Sequence, residues 1–495
     1  MILRALRQGT KLIVIDPRRT YLAARADLWL ALKPGSNVPL ICGLLRVIIE
    51  KKLYNDDFIH EFTENFEALE RYILNEWSLE RVERLTGVPR VYIEQAARLY
   101  AKAEKALILY GLGVTEHKSG TNGVMCLANL ALVCGHIGKP GTGIMPLRGQ
   151  NNVQGACDLG TLPYTYPGYH PLSKETLTKF EEAWGVKLPT KPGLLELQMY
   201  DEAIKGDFKG LYVIGYDVAQ SEADIRRVWK ALASMDLVVV QDIFFPLTGK
   251  FAHVILPAAS MLEKEGTVTN GERRIMRVRQ AVSPPPEAWP DWKILCEVSK
   301  RLGYDMDYES PREIFEEMRQ LMPIYAGATY ERLEDSEICW PVPREDHPGT
   351  KVLYTQGFPQ GKAQFAIPRH WPPEEEPDKE YPILLITGRR LYHYNSGSMT
   401  IYSEGFLEVL PEEYIEINPK DAMALGIKDG DLVRVISRRG EIEVKARLTN
   451  RLQPGQAFMA FHFKDKLVNL LTSPALDLKT MTPEYKVAAI RIQPL

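Results

Sequence analysis

Cysteines are few in this sequence, and they are not arranged as metal ligands usually are. Six cysteines are scattered over 495 residues and form no CxxC pair. Iron–sulfur and zinc sites built within one chain usually show clustered cysteines, so we expect no such site from these residues. We predict reduced, mostly buried thiols in a reducing compartment.

Long apolar runs and an excess of basic charge are also missing. The most apolar window, residues 123–138, is interrupted by Asn129 and is shorter than the ~20 apolar residues of a membrane-crossing helix, so we predict a buried helix. The start of the chain is unlike a signal peptide, because a strand pattern begins at Lys11. The net charge is −3 without a basic block, which disfavours nucleic acid and anionic membranes as partners. We expect a small-molecule or protein partner.

What the sequence does contain is a repeated strand pattern. Short β-branched or aliphatic runs stop abruptly at polar or glycine loops in residues 11–19, 106–117, 210–224, 237–245 and 382–390. Helical patterns lie between these runs, as in residues 37–53 and 223–235. Continuous apolar runs predict strands that are buried on both faces, as in parallel sheets. Strands alternating with helices are typical of a doubly wound α/β architecture.

A chain of this length exceeds one hydrophobic core, so we expect two to four domains. The proline- and acid-rich residues 368–382 predict a solvated linker and a domain boundary. After this stretch, residues 429–449 alternate apolar and polar side chains around Arg439 and Gly440, which predicts a hairpin. The C-terminal part is therefore predicted to be a β-rich barrel.

Ligands of doubly wound sheets bind just beyond the carboxyl ends of the strands. The predicted strands end at or near small or acidic residues, namely Asp16, Gly111, Gly113, Gly215, Asp217, Asp242 and Gly388. One such residue carries little weight, because strands often end in glycine or aspartate for reasons of turn geometry. Together they predict an extended ligand that follows more than one sheet edge.

A polar, glycine-rich run, MPLRGQNNVQGACDLG at residues 145–160, shows no helical or strand period. From its residues alone it is either an ordinary surface loop or backbone held against a large ligand with many hydrogen-bonding groups. Asparagine and glutamine side chains both donate and accept hydrogen bonds, and both interpretations stay open at this point.

Eight motifs of this sequence resemble those of a known family. They lie at residues 14–20, 32–37, 135–160, 238–244, 253–260, 265–274, 387–400 and 482–486. On these motifs the whole chain resembles the catalytic subunits of molybdopterin-guanine-dinucleotide oxidoreductases, and among them the formate dehydrogenase alpha subunits. The run PLRGQNNVQGACD is the most discriminating, since it looks like formate dehydrogenases rather than nitrate or sulfoxide reductases.

The resemblance implies an α/β fold with doubly wound, mainly parallel sheets in two lobes and a C-terminal β-barrel of the double-psi type. It divides the chain into an oxidoreductase core at residues 1–300, split near residue 150, a helical segment and linker at 301–375, and a dinucleotide-binding barrel at 376–495.

The implied cofactors are two molybdopterin guanine dinucleotides with molybdenum or tungsten. Acidic strand ends would accept from guanine or ribose, arginines would pair with pyrophosphate, and glycines would let the backbone approach the ligand. The residues implied to bind the cofactor are Asp16, Arg18, Gly35, Asn37, Leu112, Gly113, Glu116, Gln150, Asn151, Gly215, Tyr216, Gln241, Asp242, Asp291, Arg389, His393, Tyr394, Asn395, Asn469, Tyr485 and Lys486. A structural role is the alternative for His393, and turn geometry is the alternative for Asp16 and Asp242.

Arg148 matches the family arginine beside the metal, where a planar, permanently charged guanidinium would clamp formate. The implied reaction is oxidation of formate to CO2, or its reverse, by hydride transfer to the molybdenum or tungsten centre. Electrons would then pass to iron–sulfur subunits, with flavin or hydrogenase subunits as further candidates.

The family's N-terminal region, with its [4Fe–4S] cysteines and its catalytic selenocysteine or cysteine, has no counterpart in this sequence. We therefore expect a fragment that is inactive without that region, no metal ligand within the chain, and Met1 as an internal methionine behind an in-frame UGA codon. A genuinely split subunit is the alternative. We expect a cytoplasmic protein, with an export signal in the absent region as the alternative.

Two other functions stay open at this point. One is another molybdopterin oxidoreductase, such as a nitrate reductase or the large subunit of a quinone-reductase-type enzyme. The other is a non-catalytic structural relative, which the retained Arg148 disfavours, because a structural subunit has no need of a carboxylate clamp.

Overall fold

The computed structural model describes all residues from Met1 to Leu495. The chain forms two compact units, each built from separate stretches of sequence. Unit 1 comprises Met1–Met145, Gln220–Arg226 and Tyr354–Leu495, and unit 2 comprises Pro146–Ala219 and Arg227–Leu353. The sequence-based domains were contiguous, and that linear division stays a prediction.

The N-terminal stretch gives unit 1 a helical core and small sheets. Its helices are α1 Ile2–Arg7, α2 Asn37–Glu50, α3 Asp56–Phe62, α4 Phe66–Glu76, α5 Leu79–Thr86, α6 Arg90–Ala101, α7 Leu112–Thr115 and α8 Gly120–Val133. Its strands are β1 Ile13–Ile15, β2 Leu28–Leu30, β3 Thr63–Glu64, β4 Leu107–Tyr110 and β5 Gly143–Pro146. Strands β1 and β2 pair in parallel, and β4 pairs with β5.

Helix α2 lies at the centre of this core, as its sequence predicts. Eleven of its fourteen residues are buried, so the helix is apolar around most of its circumference and packs against α5, α6 and α8. Gly43 lets α5 approach closely, because a Cβ atom there would lie 2.8 Å from Cγ1 of Val82. The helix predicted within residues 123–138 is confirmed as the buried helix α8.

Unit 2 contains a parallel sheet and an antiparallel sheet. Its helices, two of which reach into residues of unit 1, are α9 Val153–Asp158, α10 Lys174–Trp184, α11 Glu196–Lys205, α12 Val218–Ser221, α13 Ile225–Ser234, α14 Asp291–Arg301, α15 Pro311–Leu321 and α16 Arg332–Asp335. Its strands are β6 Thr165–Tyr166, β7 His170–Pro171, β8 Gly210–Ile214, β9 Leu237–Asp242, β10 Val254–Pro257, β11 Gly266–Thr269, β12 Arg274–Val278 and β13 Ile338–Cys339.

The parallel sheet of unit 2 has the order β10-β9-β8, and its register aligns the strand ends. Ile214 pairs with Gln241, and Asp242 pairs with Pro257, so all three strands end at one edge. The prediction of parallel strands in this part of the sequence is confirmed.

The prediction that these strands are buried on both faces is wrong for β4 in unit 1 and for β8, because Leu107, Leu109 and Ile214 are exposed. Val254 and Ile255 of the neighbouring β10 are exposed as well. An apolar run indicates that a segment tends to form a strand, whereas the burial of that strand also depends on which elements cover each face. The helices of this chain leave these side chains uncovered.

The C-terminal stretch of unit 1 closes into a six-stranded barrel with the order β15-β19-β16-β18-β17-β20. This stretch contains β14 Ala363–Gln364, β15 Ile383–Gly388, β16 Tyr414–Ile417, β17 Leu432–Ser437, β18 Glu441–Leu448, β19 Gln456–Ala460 and β20 Ala488–Pro494, with helices α17 Glu404–Val409 and α18 Pro419–Leu425. The predicted hairpin is confirmed, because β17 and β18 pair antiparallel. Alternate residues of β18 point into the apolar core, as the sequence pattern predicts.

The stretch 368–382 is mostly exposed, as the sequence predicts, but Glu375 within it is buried. Glu375 is 8% exposed and accepts hydrogen bonds from the Arg439 guanidinium and from the backbone N–H of Ala489. Lys118 forms an ion pair of 2.6 Å with Glu374. Glu374 and Glu375 therefore have charged partners within unit 1, while residues 376–380 are exposed to solvent.

The helices are too short or too polar to cross a lipid bilayer.

All six cysteines are free thiols, and five of them are buried, which confirms the prediction of reduced, mostly buried cysteines.

Candidate cofactor and substrate site

The end of strand β1 places Asp16 and Arg18 beside the barrel of unit 1. Asp16 Oδ1 accepts a hydrogen bond of 2.8 Å from the Arg18 backbone N–H, and burial raises the pKa of Asp16. The Arg18 guanidinium donates to both carboxylate oxygens of Glu416 at 2.6 and 2.8 Å and lies 4.4 Å from the centre of the Phe458 ring. The fork of Arg18 therefore already holds a carboxylate, and its assignment to pyrophosphate stays a prediction.

Helices α2 and α7 bring four of the predicted residues together. Asn37 Nδ2 donates to the Gly113 carbonyl at 3.1 Å. Three residues further on, Glu116 forms an ion pair of 2.8 Å with Lys486, and both side chains are largely buried. The Lys486 charge also acts on Asp16. Residues distant in sequence thus form one polar cluster, with Leu112 exposed at the start of α7.

The two glycines predicted near this cluster differ in their surroundings. A Cβ atom at Gly113 would meet nothing within 4 Å, so the backbone there is open to a ligand. A Cβ atom at Gly35 would lie 2.2 Å from Cγ of Pro373, and Gly35 has a φ of +81°. The close neighbour on the Cβ side of Gly35 is therefore a proline of this chain, and the assignment of Gly35 to the cofactor stays a prediction.

The barrel contributes a second group of predicted residues to unit 1. The Arg389 guanidinium donates to Asn395 Oδ1 at 2.9 Å and lies 5.8 Å from the centre of the Phe461 ring. Lys486 Nζ lies 5.7 Å from the centre of the same ring, so both cations lie close to the Phe461 ring. The sequence analysis did not select Phe461. Tyr394 is exposed beside Asn395.

His393 has the bonding pattern of a structural histidine. Its Nδ1 lies 3.0 Å from Thr400 Oγ1, its Nε2 lies 2.9 Å from the Leu410 carbonyl, and the residue is 3% exposed. Both ring nitrogens are engaged within the protein, which favours the structural alternative. His253 also has a structural contact, because its Nδ1 accepts a hydrogen bond of 2.9 Å from the Val238 N–H.

Asn469 and Tyr485 converge on residues 220–223. Asn469 Nδ2 donates to the Ser221 carbonyl at 2.8 Å, and the Tyr485 hydroxyl accepts from the Ala223 N–H at 3.2 Å. Gln220 is buried in the same place and was missed by the sequence analysis, although it belongs to the polar run that follows strand β8.

This part of unit 1 contains polar atoms that lack partners. Asn469 Oδ1, Gln220 Oε1 and Ser221 Oγ are buried and form no hydrogen bond. A buried polar atom without a partner costs about 1–3 kcal/mol, so such a cluster favours a ligand with many hydrogen-bonding groups. The residues present therefore fit a large polar cofactor.

Unit 2 carries its predicted residues at the common edge of β8, β9 and β10. Gly215 has a φ of +62°, and a Cβ atom there would meet nothing within 4 Å. Asp242 accepts from the Ile243 N–H at 2.7 Å, and burial raises the pKa of its carboxyl. Tyr216, the residue after Gly215, is half-buried. The edge combines open backbone with a partly desolvated acid.

A hydrogen-bonded chain runs through Gln241 at this edge. Gln241 Oε1 accepts from the Tyr212 hydroxyl at 2.5 Å, and its Nε2 donates to Asp291 Oδ1 at 2.7 Å. Asp291 also pairs with Lys264, a residue that the sequence analysis did not select. Gln241 and Asp291 are thus brought together, with their polar groups fixed by neighbours.

Arg148 lies in the loop that precedes α9, and its side chain is exposed. Gly271 lies beneath its stem, since a Cβ atom there would be 3.4 Å from Arg148 Cγ. Gln150 and Asn151 are also exposed, and Asn151 Nδ2 lies 3.0 Å from the Met261 sulfur. The run has more regular structure than its sequence predicts, because Val153–Asp158 form α9.

A doubly wound arrangement with a closed barrel and polar residues at its strand ends is typical of enzymes that bind an extended cofactor. Residues 1–301 match the family Molybdopterin oxidoreductase, and residues 383–489 match the Molydopterin dinucleotide binding domain. This chain belongs to the molybdopterin oxidoreductase family.

Formate dehydrogenases are among the proteins that this chain resembles in sequence. The chain is 45% identical to the F420-dependent formate dehydrogenase subunit alpha of Methanocaldococcus jannaschii, over 99% of this chain and 73% of that protein. It is 41% identical to formate dehydrogenase H of Escherichia coli, over 100% of this chain and 70% of that protein. Acetylene hydratase from Pelobacter acetylenicus shares the fold, with a TM-score of 0.79 at 19% identity, over 100% of this chain and 75% of that structure.

Proposed function

We propose that this chain is the catalytic subunit, or the larger part of it, of a molybdopterin-dependent formate dehydrogenase that interconverts formate and CO2. The observation that carries the proposal is the exposed Arg148 within a chain that is 41–45% identical to formate dehydrogenases along its whole length. Nitrate reduction and a purely structural role are the alternatives that the experiment below distinguishes.

The two units each supply residues for one molybdopterin guanine dinucleotide. In unit 1, Asn37, Gly113, Arg389, Asn469 and Lys486 would hold it, and the unpartnered oxygen of Asn469 supports this assignment. Glu116 keeps Lys486 in place through their ion pair. A pterin or guanine edge would supply the missing hydrogen-bond partners.

In unit 2, the open backbone at Gly215 and the fixed amide of Gln241 would hold the other dinucleotide. Asp242 accepts hydrogen bonds when ionised, and burial raises its pKa, so a donor from the cofactor would stabilise its charged form. Gln150 and Asn151 would bind the pterin beside Arg148.

Arg148 would bind and orient the substrate carboxylate. Its guanidinium stays charged at every physiological pH and presents two parallel N–H groups to a carboxylate. Orienting formate this way fixes the direction of its C–H bond, which lowers the entropic part of the barrier. When bound, the molybdenum or tungsten dinucleotide centre supplies the two-electron redox chemistry. We propose iron–sulfur subunits as the electron acceptors, with flavin or hydrogenase subunits as further candidates.

We also propose a reducing, cytoplasmic compartment. The support is the set of six free thiols, because cysteines of exported proteins are usually paired in disulfides.

The test is Arg148→Lys in the cofactor-loaded holoenzyme. Lysine keeps the charge but not the planar fork, so we expect formate turnover to fall by about a hundredfold or more, with molybdenum content unchanged. Arg301→Lys, at an exposed arginine at the end of α14, is the matched control and should change neither quantity. Unchanged formate turnover in Arg148→Lys, or wild-type turnover of nitrate but not formate, would refute the proposal.

A further inference from the structure

A buried carboxylate lies behind the Arg148 loop and is held by hydroxyl and amide donors. Asp158, the last residue of α9, is 0% exposed. Its Oδ1 accepts from the Tyr169 hydroxyl at 2.7 Å and from Gln154 Nε2 at 2.8 Å, and its Oδ2 accepts from the Tyr325 hydroxyl at 2.6 Å. Asp158 forms no ion pair. A buried carboxylate without a charged partner is stable only while such hydrogen-bond donors stay in place.

The same group of side chains ties α9 to strand β11. Tyr325 gives its one hydroxyl proton to Asp158, so the Thr269 hydroxyl is the donor of the 2.7 Å bond between Thr269 and Tyr325. The Thr269 backbone N–H donates to Asn152 Oδ1 at 2.8 Å, just before α9 begins. Both ends of α9 are therefore fixed to one strand.

Tyr169 is the member of this group whose pKa is affected by the charge of Arg148. Burial and the Asp158 hydrogen bond raise the pKa of Tyr169, and the positive charge of Arg148 opposes that rise. Tyr169 has a φ of +61°, which is uncommon for a residue other than glycine. Such a conformation persists only where neighbouring contacts impose it, and it is frequent at functional sites.

The stem of Arg148 is supported from the other side by the turn that follows β11. Gly271 belongs to this turn, and Asn270 Oδ1 accepts from the N–H groups of Glu272 and Arg274 at 2.9 and 3.1 Å. Strand β11 thus leads directly from Thr269, which fixes α9, to the surface on which Arg148 lies.

We propose that Asp158, Tyr169 and Tyr325 are positioning residues that fix the Arg148 loop in one arrangement before the substrate carboxylate arrives. The inference rests on the proposed role of Arg148 in formate binding. A long arginine side chain on a mobile loop loses conformational entropy when it binds an anion. A loop already fixed on β11 has less to lose, and its affinity for a small carboxylate is correspondingly higher.

The first test is the kinetics of Tyr169→Phe and Tyr325→Phe holoenzymes. Each variant removes one donor to Asp158 and keeps the ring. We expect KM for formate to rise about tenfold while kcat changes by less than about twofold, because binding of the ground state and the transition state weakens equally. The matched control is Tyr308→Phe, which removes an equivalent tyrosine–carboxylate hydrogen bond, 2.6 Å to Glu317, far from the loop in sequence. The control should leave KM unchanged.

The second test is amide hydrogen exchange over residues 147–160, which does not depend on turnover. Exchange should be faster in Tyr169→Phe and Tyr325→Phe than in the wild-type and Tyr308→Phe proteins. Unchanged exchange, or a lower melting temperature with an unchanged KM, would overturn the inference. If the wild-type holoenzyme does not turn over formate, the proposed function fails, whereas the exchange comparison still decides whether these tyrosines hold the loop.

Discussion

Arginines at the two candidate binding regions have opposite surroundings. In unit 1, the Arg18 guanidinium is neutralised by Glu416 and lies against an aromatic ring. In unit 2, Arg148 is exposed and forms no ion pair, while the carboxylate of Asp158 in the following helix accepts hydrogen bonds from hydroxyl and amide groups. The charge of Arg18 is thus already paired within the protein, whereas the charge of Arg148 remains available to an anion from outside the protein.

The largest effect on stability is expected from Arg18→Ala. Removing one partner of a buried ion pair leaves the other carboxylate uncompensated, so the free energy of unfolding should fall by about 3–5 kcal/mol. Arg148→Ala should change it by less than about 0.5 kcal/mol, because that side chain is on the surface. Urea denaturation of both variants measures the difference. Equal losses would remove the distinction between the two regions.

Substitutions at two glycines of unit 1 test a similar contrast, with smaller expected effects on the free energy of unfolding. Gly35→Ala should destabilise the protein by about 1–3 kcal/mol or more, since its φ is positive and Pro373 occupies the Cβ position. Gly113→Ala should stay within about 0.5 kcal/mol of the wild-type stability. Its expected effect is a lower dinucleotide content after purification, measured by mass spectrometry of the released cofactor. Normal cofactor content in Gly113→Ala would contradict the assignment of Gly113 to the binding surface.

A smaller, pH-dependent effect is expected at Glu375. Burial raises the pKa of its carboxyl, but hydrogen bonds from Arg439 and the Ala489 N–H and the charges of two arginines outweigh burial, so the pKa lies below its ordinary value of 4.5. A depressed folded-state pKa contributes stability that is complete above the unfolded-state pKa and is lost as the pH falls through the folded-state pKa.

Glu375→Gln removes this contribution. The variant should be less stable than the wild type at neutral pH, and the difference should shrink as the pH falls below 4.5. Melting temperatures recorded at several pH values measure it. A difference that stays constant down to the lowest accessible pH would show that Glu375 acts through packing alone.

The elements of this fold were predictable because they depend on local sequence. The strand at residues 237–242 and the hairpin around Arg439 and Gly440 follow from apolar runs and alternation, which are read within a few residues. The sequence likewise placed Asp16 and Gly215 just after parallel strands, where the structure has them, and their role in binding stays a prediction.

What the sequence could not predict are contacts between distant residues. The burial of Glu375 depends on Arg439, which lies 64 residues further along the chain. Tyr325 reaches Asp158 across 167 residues, so no local pattern marks either as a partner of the other. The exposure of β4 and β10 depends on which elements cover each strand. The strand-forming tendency of the residues does not predict that covering.

The most direct test of the central claim is the formate kcat/KM per bound molybdenum atom of Arg148→Ala, measured beside wild-type holoenzyme. The account predicts a fall of about a thousandfold or more, with melting temperature and molybdenum content unchanged, because only the guanidinium that meets the substrate is lost. An unchanged kcat/KM, or a fall explained entirely by lost molybdenum, would contradict it.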